Sequence, residues 1–149
     1  MTAASLLDTS FLINLVDDSR RDHTVARQHY EHALQHGAPL HVSTLAQAEF
    51  ATKQAVTDLP LRTLRIEPFN IRHAIKIGEL CALLMPARDA TDSRAAVRTD
   101  LQLIAQAASE NIPFILTEDR NTLSKYLDRA RAARACQCEA VLLVGHAVN

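Results

Sequence analysis

Tryptophan is absent from the chain, and only four Phe and two Tyr occur in 149 residues. Nucleic-acid recognition by stacked aromatics therefore has little to build on, and the core must rest on Leu, Ile, Val and Ala. Cysteine is scarce too. Cys81, Cys136 and Cys138 are an odd number without a CxxC pair, which argues against a disulfide scaffold and points to a reducing compartment. No stretch approaches the ~20 apolar residues that a membrane span requires. The N-terminus lacks a basic start followed by an unbroken apolar run, so the expected location is the cytoplasm, away from membranes. Positive charge is not in excess. The formal net charge is -1, so contact with nucleic acid would need a local basic patch. GxxxxGK(S/T), GxGxxG and GxSxG are all missing, which removes the P-loop, dinucleotide and hydrolase-elbow readings.

What remains is apolar enough to fold: hydrophobic residues make up 48%, and the length suits one domain, residues 1–149, with no linker or repeat. "SLLD" reads as a buried strand, and "FLINLV" as the start of a helix. "RRDHTVARQHYEHALQHG" reads as an amphipathic helix stopped by Gly37. "PLHVS" is a second strand. Ser43 or Thr44 caps the helix "LAQAEFATKQAV". "DLPLRTLRIEPF" reads as extended or irregular, and "IRHAIKIGELCALLM" as a helix apolar on most sides and largely buried. "PARDATDSRAAVR" is expected to be a charged loop before the helix "DLQLIAQAASEN". "IPFILT", the basic helix "RNTLSKYLDRARAARA" and "EAVLLVG" complete the chain. Strands alternating with helices predict an α/β domain with a mainly parallel sheet covered on both faces.

Against that pattern four acids stand out. Asp8 interrupts the apolar run "SLLDTSFLINLV", sharing a strand face with Leu6 and Ser10. Glu49 falls on a stripe with Leu45, Ala48 and Thr52. Asp100 heads the stripe Leu103, Ile104, Ala107 and Ala108, at an expected helix N-terminus. Asp119 follows the strand "IPFILT". By contrast Glu79, Glu110, Asp17 and Asp18 read as solvated. Taken singly, an acid is most simply read as a helix cap or the partner of a nearby Arg, above all Asp100, whereas Asp8 and Glu49 have no such local explanation. Together the four lie where the carboxyl ends of parallel strands form a ligand-binding edge. Crowded carboxylates repel; a divalent cation removes that penalty, and oxygen-only ligation suits Mg²⁺ or Mn²⁺.

The segments "LLDTSFL", "STLAQAEF" and "TDLQLIAQAASENIPFILTED", with these acids in order, resemble the PIN-domain nucleases, most closely the VapC-type toxins of toxin–antitoxin pairs. The likeness runs from about Leu6 to Val144. It implies a three-layer α/β/α sandwich with a mainly parallel central sheet. It implies a Mg²⁺- or Mn²⁺-dependent endoribonuclease that hydrolyses RNA phosphodiester bonds, a small antitoxin partner and a homodimer. It makes Asp8, Glu49, Asp100 and Asp119 the catalytic and metal-binding residues. The alternative within the family is a silent module that binds RNA or protein.

The implied chemistry is metal-assisted phosphodiester hydrolysis. Thr9, Ser10 and Thr117 are candidates to orient ligands or bind phosphate. Arg94 and Arg98, in the expected loop, and Arg120 and Lys125, after Asp119, are candidates to contact RNA, with Arg88, Arg129, Arg131 and Arg134 near them. An aspartyl phosphatase would want a second Asp where Ser10 stands, and a receiver domain an acidic pair beside Asp8. His29, His32 and His36 share a helix face that reads as polar surface. Cys136, Cys138 and the distant Cys81 make a poor zinc set.

Overall fold

A computed structural model describes residues 3–119 and 121–142. Within them run five parallel strands: β1 (Ser5–Leu7), β2 (Leu40–Ser43), β3 (Arg65–Glu67), β4 (Phe114–Thr117) and β5 (Glu139–Leu142). They form one sheet in the order β3-β2-β1-β4-β5. Leu6 sits in register with His41 on β2 and Ile115 on β4, so β1 is central. The helices are α1 (Thr9–Val16), α2 (His23–His36), α3 (Thr44–Ala51), α4 (Ile71–Leu84), α5 (Arg94–Ser109) and α6 (Leu123–Ala132).

Strand alternation sorts these helices into two layers. Leu6 and Ile115 point to one face and pack with Leu80, Val97, Leu101, Ile104, Leu123, Tyr126 and Leu127 from α4, α5 and α6. Their neighbours Leu7 and Leu116 point to the other face and pack with Phe11, Leu12, Tyr30, Ala46 and Phe50 from α1, α2 and α3. Helix, sheet and helix are thus stacked as the α/β/α sandwich predicts. Among the described residues no helix is long and apolar enough to cross a membrane.

Capping sets most boundaries. Gly37, at φ 66°, ends α2, with Ala38 N bonded back to Ala33 O at 2.9 Å. Ser43 Oγ accepts from Leu45 N at the start of α3. Two expectations are corrected and one is resolved. First, α5 begins at Arg94, because Ser93 Oγ accepts from Ala96 N at 3.1 Å. Arg94 and Arg98 are therefore helical rather than in a loop, and Asp100 lies in the second turn rather than at the N-terminus. Second, "DLPLRTLRIEPF", open between extended and irregular, is both. After two single 3₁₀ turns, Val56–Asp58 and Leu61–Thr63, it pairs as the edge strand β3. Third, α4 buries only His73, Leu80 and Leu84, and leaves Ile71 73%, Ile75 61% and Leu83 52% exposed. The last expected strand runs to Gly145, and its residues 143–145 lie outside the described residues.

Ser93→Ala removes the α5 cap and is expected to cost about 1 kcal/mol. Ile104→Ala, at a fully buried site, is expected to cost about 2–5 kcal/mol. Urea unfolding with an unchanged m-value checks both; no loss for Ser93→Ala would mean that α5 starts elsewhere.

Candidate active site

The sheet order reverses direction between β1 and β4, and the carboxyl ends of those two strands open into a cavity of about 800 Å³. Its lining includes Asp8, Thr9, Ser10, Glu49, Asp100 and Asp119. Parallel sheets bind ligands at such a crevice. Each acid arrives by a different route. Asp8 follows β1 directly: its N–H continues the ladder to Leu116 O at 3.1 Å, and its side chain caps α1 by accepting from Thr9 N at 2.7 Å. Starting α1 at Thr9 places Ser10 within the helix, not on the strand face. Its hydroxyl reaches back to Asp8 Oδ2 at 3.1 Å.

Thr117, the last residue of β4, is buried and donates to the same Oδ2 at 2.7 Å. Backbone amides orient these hydroxyls: Asp119 N donates to Thr117 Oγ1 at 2.9 Å, and Glu118 N to Ser10 Oγ at 3.1 Å. Glu49 is an exposed residue whose Oε2 accepts from Thr9 Oγ1 at 3.0 Å. The stripe it shares with Ala48 and Thr52 is exposed, and α3 buries Ala46 and Phe50 instead. Glu49 thus belongs to the cavity, not to an interrupted core. Asp119 acts as a helix cap in all but name. Its Oδ1 accepts from Asn121 N and Thr122 N at 2.9 and 3.0 Å, and its Oδ2 from Thr122 Oγ1 at 2.5 Å and Leu123 N at 3.3 Å.

The electrostatics separate the three aspartates. Burial pushes Asp8 up, the Glu49 charge adds to it, and the bonds from Thr117, Ser10 and Thr9 oppose it; the net direction is upward. Asp100 is pushed to about 7 by burial and then by the charges of Asp119, Asp8 and Glu49, against the Thr122 hydroxyl. Burial acts upward on Asp119 as well, but its four donors bring it below the ordinary carboxylate value. Asp100 Oδ2 is buried and receives no hydrogen bond.

Among the described residues no three His, Cys, Asp or Glu side chains are grouped as a ready-made ion cage. The four acids share a cavity rather than a common point. Their chemistry nonetheless suits a hard divalent cation: the donors are all oxygens, they repel one another, and a buried carboxylate oxygen on Asp100 lacks a partner.

The candidate cations are placed unevenly. Arg94 and Arg98 are exposed on the first turns of α5, although the neighbours that line the cavity are Ala96, Thr99 and Gln102. Lys125 does not line it. Its Nζ donates to Asp89 Oδ2 at 2.8 Å and Asp92 Oδ2 at 2.6 Å, and Arg129 also binds Asp89, so both hold the loop before α5 onto α6. Arg120 lies outside the described residues. Among the described residues the cations that line the cavity are Arg20 and Lys53, which no sequence pattern marks, nor does one mark Glu118 or Asn14, whose amide donates to the lining residues Ser10 and Glu118. Glu118 accepts from Arg20 Nη2 at 2.9 Å and from the buried Asn14 Nδ2 at 2.8 Å. Position next to Asp119 was the only signal for Glu118. Glu110, expected to be solvated, accepts from the buried His73 Nε2 at 2.8 Å.

A family model for the PIN domain matches residues 5–127. No curated protein sequence matches the chain. Among solved structures the chain is similar to VapBC2 from Rickettsia felis bound to a DNA fragment from their promoter. That match has 16% identity and a TM-score of 0.64, and covers 92% of this chain and 98% of that one. It is similar to VapC20 of Mycobacterium tuberculosis, a sarcin–ricin loop cleaving toxin, at 17% identity and TM-score 0.59, covering 78% and 91%. It is also similar to DNA-bound VapBC from Salmonella typhimurium, at 15% identity and TM-score 0.61, covering 96% and 99%. At these identities the structural likeness speaks for the fold.

A carboxyl raised in the folded state binds its proton more tightly there than in the unfolded chain. Its stabilising contribution is present at low pH and is lost as pH rises from about 3.8 to about 7. Without added metal, Asp100→Asn is therefore expected to match wild type near pH 4 and to exceed its melting temperature above pH 7. Thermal unfolding across that range is the check, and parallel curves would contradict the crowding of charge at Asp100.

Proposed function

The chain belongs to the PIN domain family, and from that premise we propose that it is a Mg²⁺- or Mn²⁺-dependent endoribonuclease, the toxin of a VapBC-type pair, acting as a cytoplasmic homodimer. The observation that carries this reading is the convergence of Asp8, Glu49, Asp100 and Asp119 on one cavity at the strand switch. Among the described residues none of the four is paired with an arginine or lysine, whereas Asp89 and Glu118 are. Two of the similar structures are VapBC assemblies, which supports a small antitoxin partner for this chain. The name of a third, a loop-cleaving toxin, supports cleavage as the activity.

Asp8, Asp100 and Asp119 would hold the cation, with Glu49 beside them; once bound, it would polarise a phosphoryl oxygen and lower the pKa of a water. The protein's own residues prepare for this. Thr117, Ser10 and the Thr9 amide fix Asp8 in one orientation, a positioning that governs metal affinity. Thr9 holds Glu49 at the mouth, where it can orient an attacking water. Lys53, exposed and without an ion pair among the described residues, meets the phosphate backbone there. Arg94 and Arg98 extend the positive surface along α5. With so few aromatics, recognition runs through backbone and shape.

Asp8→Asn is expected to reduce Mg²⁺-dependent RNA cleavage to background while leaving the far-UV spectrum unchanged. Millimolar Mn²⁺ is expected to raise the melting temperature of wild type but not of that variant. Undiminished cleavage by Asp8→Asn refutes the assignment, and a wild type that binds RNA but never cuts it points to the silent module. Lys53→Ala is expected to weaken binding of all RNA sequences alike and to lower the salt dependence by about one phosphate contact. A sequence-selective loss would show a base-reading role instead.

A further inference from the structure

At the opposite end of the sheet from the acids, a second cavity of about 330 Å³ is lined by Lys76, Ile112, Pro113, Arg134, Cys136 and Cys138, among others. The chain reaches it through a tight reversal after α6. Arg134 takes φ 59°, and Ala135 N bonds back to Ala130 O at 2.9 Å. Glu139 N then joins Pro113 O at 2.8 Å as β5 begins beside β4. Both cysteines, two residues apart, line this cavity and pack against the α4–α5–α6 core. Two residues of extended chain span about 7 Å at most, which lies at the edge of the separation that a disulfide tolerates.

We propose that Cys136 and Cys138 are a hydroperoxide-sensitive dithiol in which Cys136 is the attacking and Cys138 the resolving sulfur. The Cys136 thiolate attacks one peroxide oxygen. The O–O bond breaks, the departing oxygen takes a proton to leave as water or an alcohol, and Cys136 becomes a sulfenic acid. Cys138 sulfur then attacks Cys136 sulfur. The S–S bond forms, the S–O bond breaks, and the hydroxide takes the Cys138 proton to leave as water. The two sulfurs together lose two electrons, and the hydroperoxide gains two.

The assignment of roles follows from the surroundings. The Cys138 thiol and backbone N–H donate to Cys136, and the charges of Arg131 and Lys76 add to them, bringing Cys136 down to about 7 against its burial. Cys138 is driven upward by the same pairing and by burial. Low-pKa thiols beside a resolving cysteine have the character of redox sensors. Cys136 keeps 8% of its surface exposed and Cys138 3%, so the oxidant enters from the cavity side. Cys81, half-buried on α4, is not among the residues lining it.

Trypsin makes the test direct, since residues 135–149 carry both cysteines and residues 77–88 carry Cys81. The full-length reduced protein is treated with hydrogen peroxide in slight excess, alkylated and digested. The 135–149 peptide is expected to lose two hydrogens and both alkylation sites, and to regain them with dithiothreitol, while Cys81 stays alkylated. In Cys138→Ala, dimedone is expected to capture a sulfenic acid at Cys136; in Cys136→Ala, Cys138 is expected to stay unmodified. Oxidation of Cys81 first, chains cross-linked to one another, or equal dimedone capture in the two variants would each overturn the proposal.

Discussion

The bond from Thr117 Oγ1 to Asp8 Oδ2, 2.7 Å long, joins residues 109 positions apart at the point where negative charge is densest. It closes a small network of hydroxyls and amides across the ends of β1 and β4. Without those donors, burial and the neighbouring Glu49 charge would leave Asp8 still more reluctant to ionise. With them, a carboxylate stands at the floor of a cavity that Glu49, Asp100 and Asp119 also line. The two central strands are thereby tied together by the same atoms that create the site, so fold and candidate chemistry share one set of contacts.

Division of labour among the acids follows from their donors. Asp119 receives four hydrogen bonds and doubles as the start of α6. Asp8 receives three and doubles as the cap of α1. Asp100 has an oxygen that receives none, and burial followed by the neighbouring charges pushes it to about 7. Repulsion in the cavity is therefore not shared evenly. Asp100 bears it with an unbonded oxygen and no helix terminus to balance its charge.

Much of this was legible in the sequence, because periodicity reports local burial. The strands of β1, β2 and β4 announce themselves as short apolar runs, and the order of the four acids survives in the structure as one cavity. What the sequence could not show depends on distance along the chain. Lys125 looks like a free cation until Asp89 and Asp92, from a loop more than thirty residues earlier, take it. β3 has only three residues with an exposed Arg65 and Ile66, so no apolar pattern marks it. α4 reads as buried on most sides, yet Ile71, Ile75 and Leu83 meet solvent because only one side of the helix packs into the core with α5 and α6. The start of α5 was available in Ser93, a good N-cap, but the surrounding charges argued for a loop. Glu49 was chosen for a reason that does not hold, an interrupted core stripe, and still lies on the cavity.

The strand order has a temporal side. β1 emerges first from the ribosome, but it lies between β2 and β4, and its partner β4 begins only at Phe114. Loop closure over such a span is slow, and it cannot begin until α5 and β4 exist. A nascent or truncated chain that ends before Phe114 has Asp8 and Glu49 but no Thr117 to anchor the first and no Asp119 at all. The complete set of acids and the hydroxyl that anchors Asp8 are therefore withheld from any copy that ends before Phe114, an order of assembly set by where the strands lie along the chain.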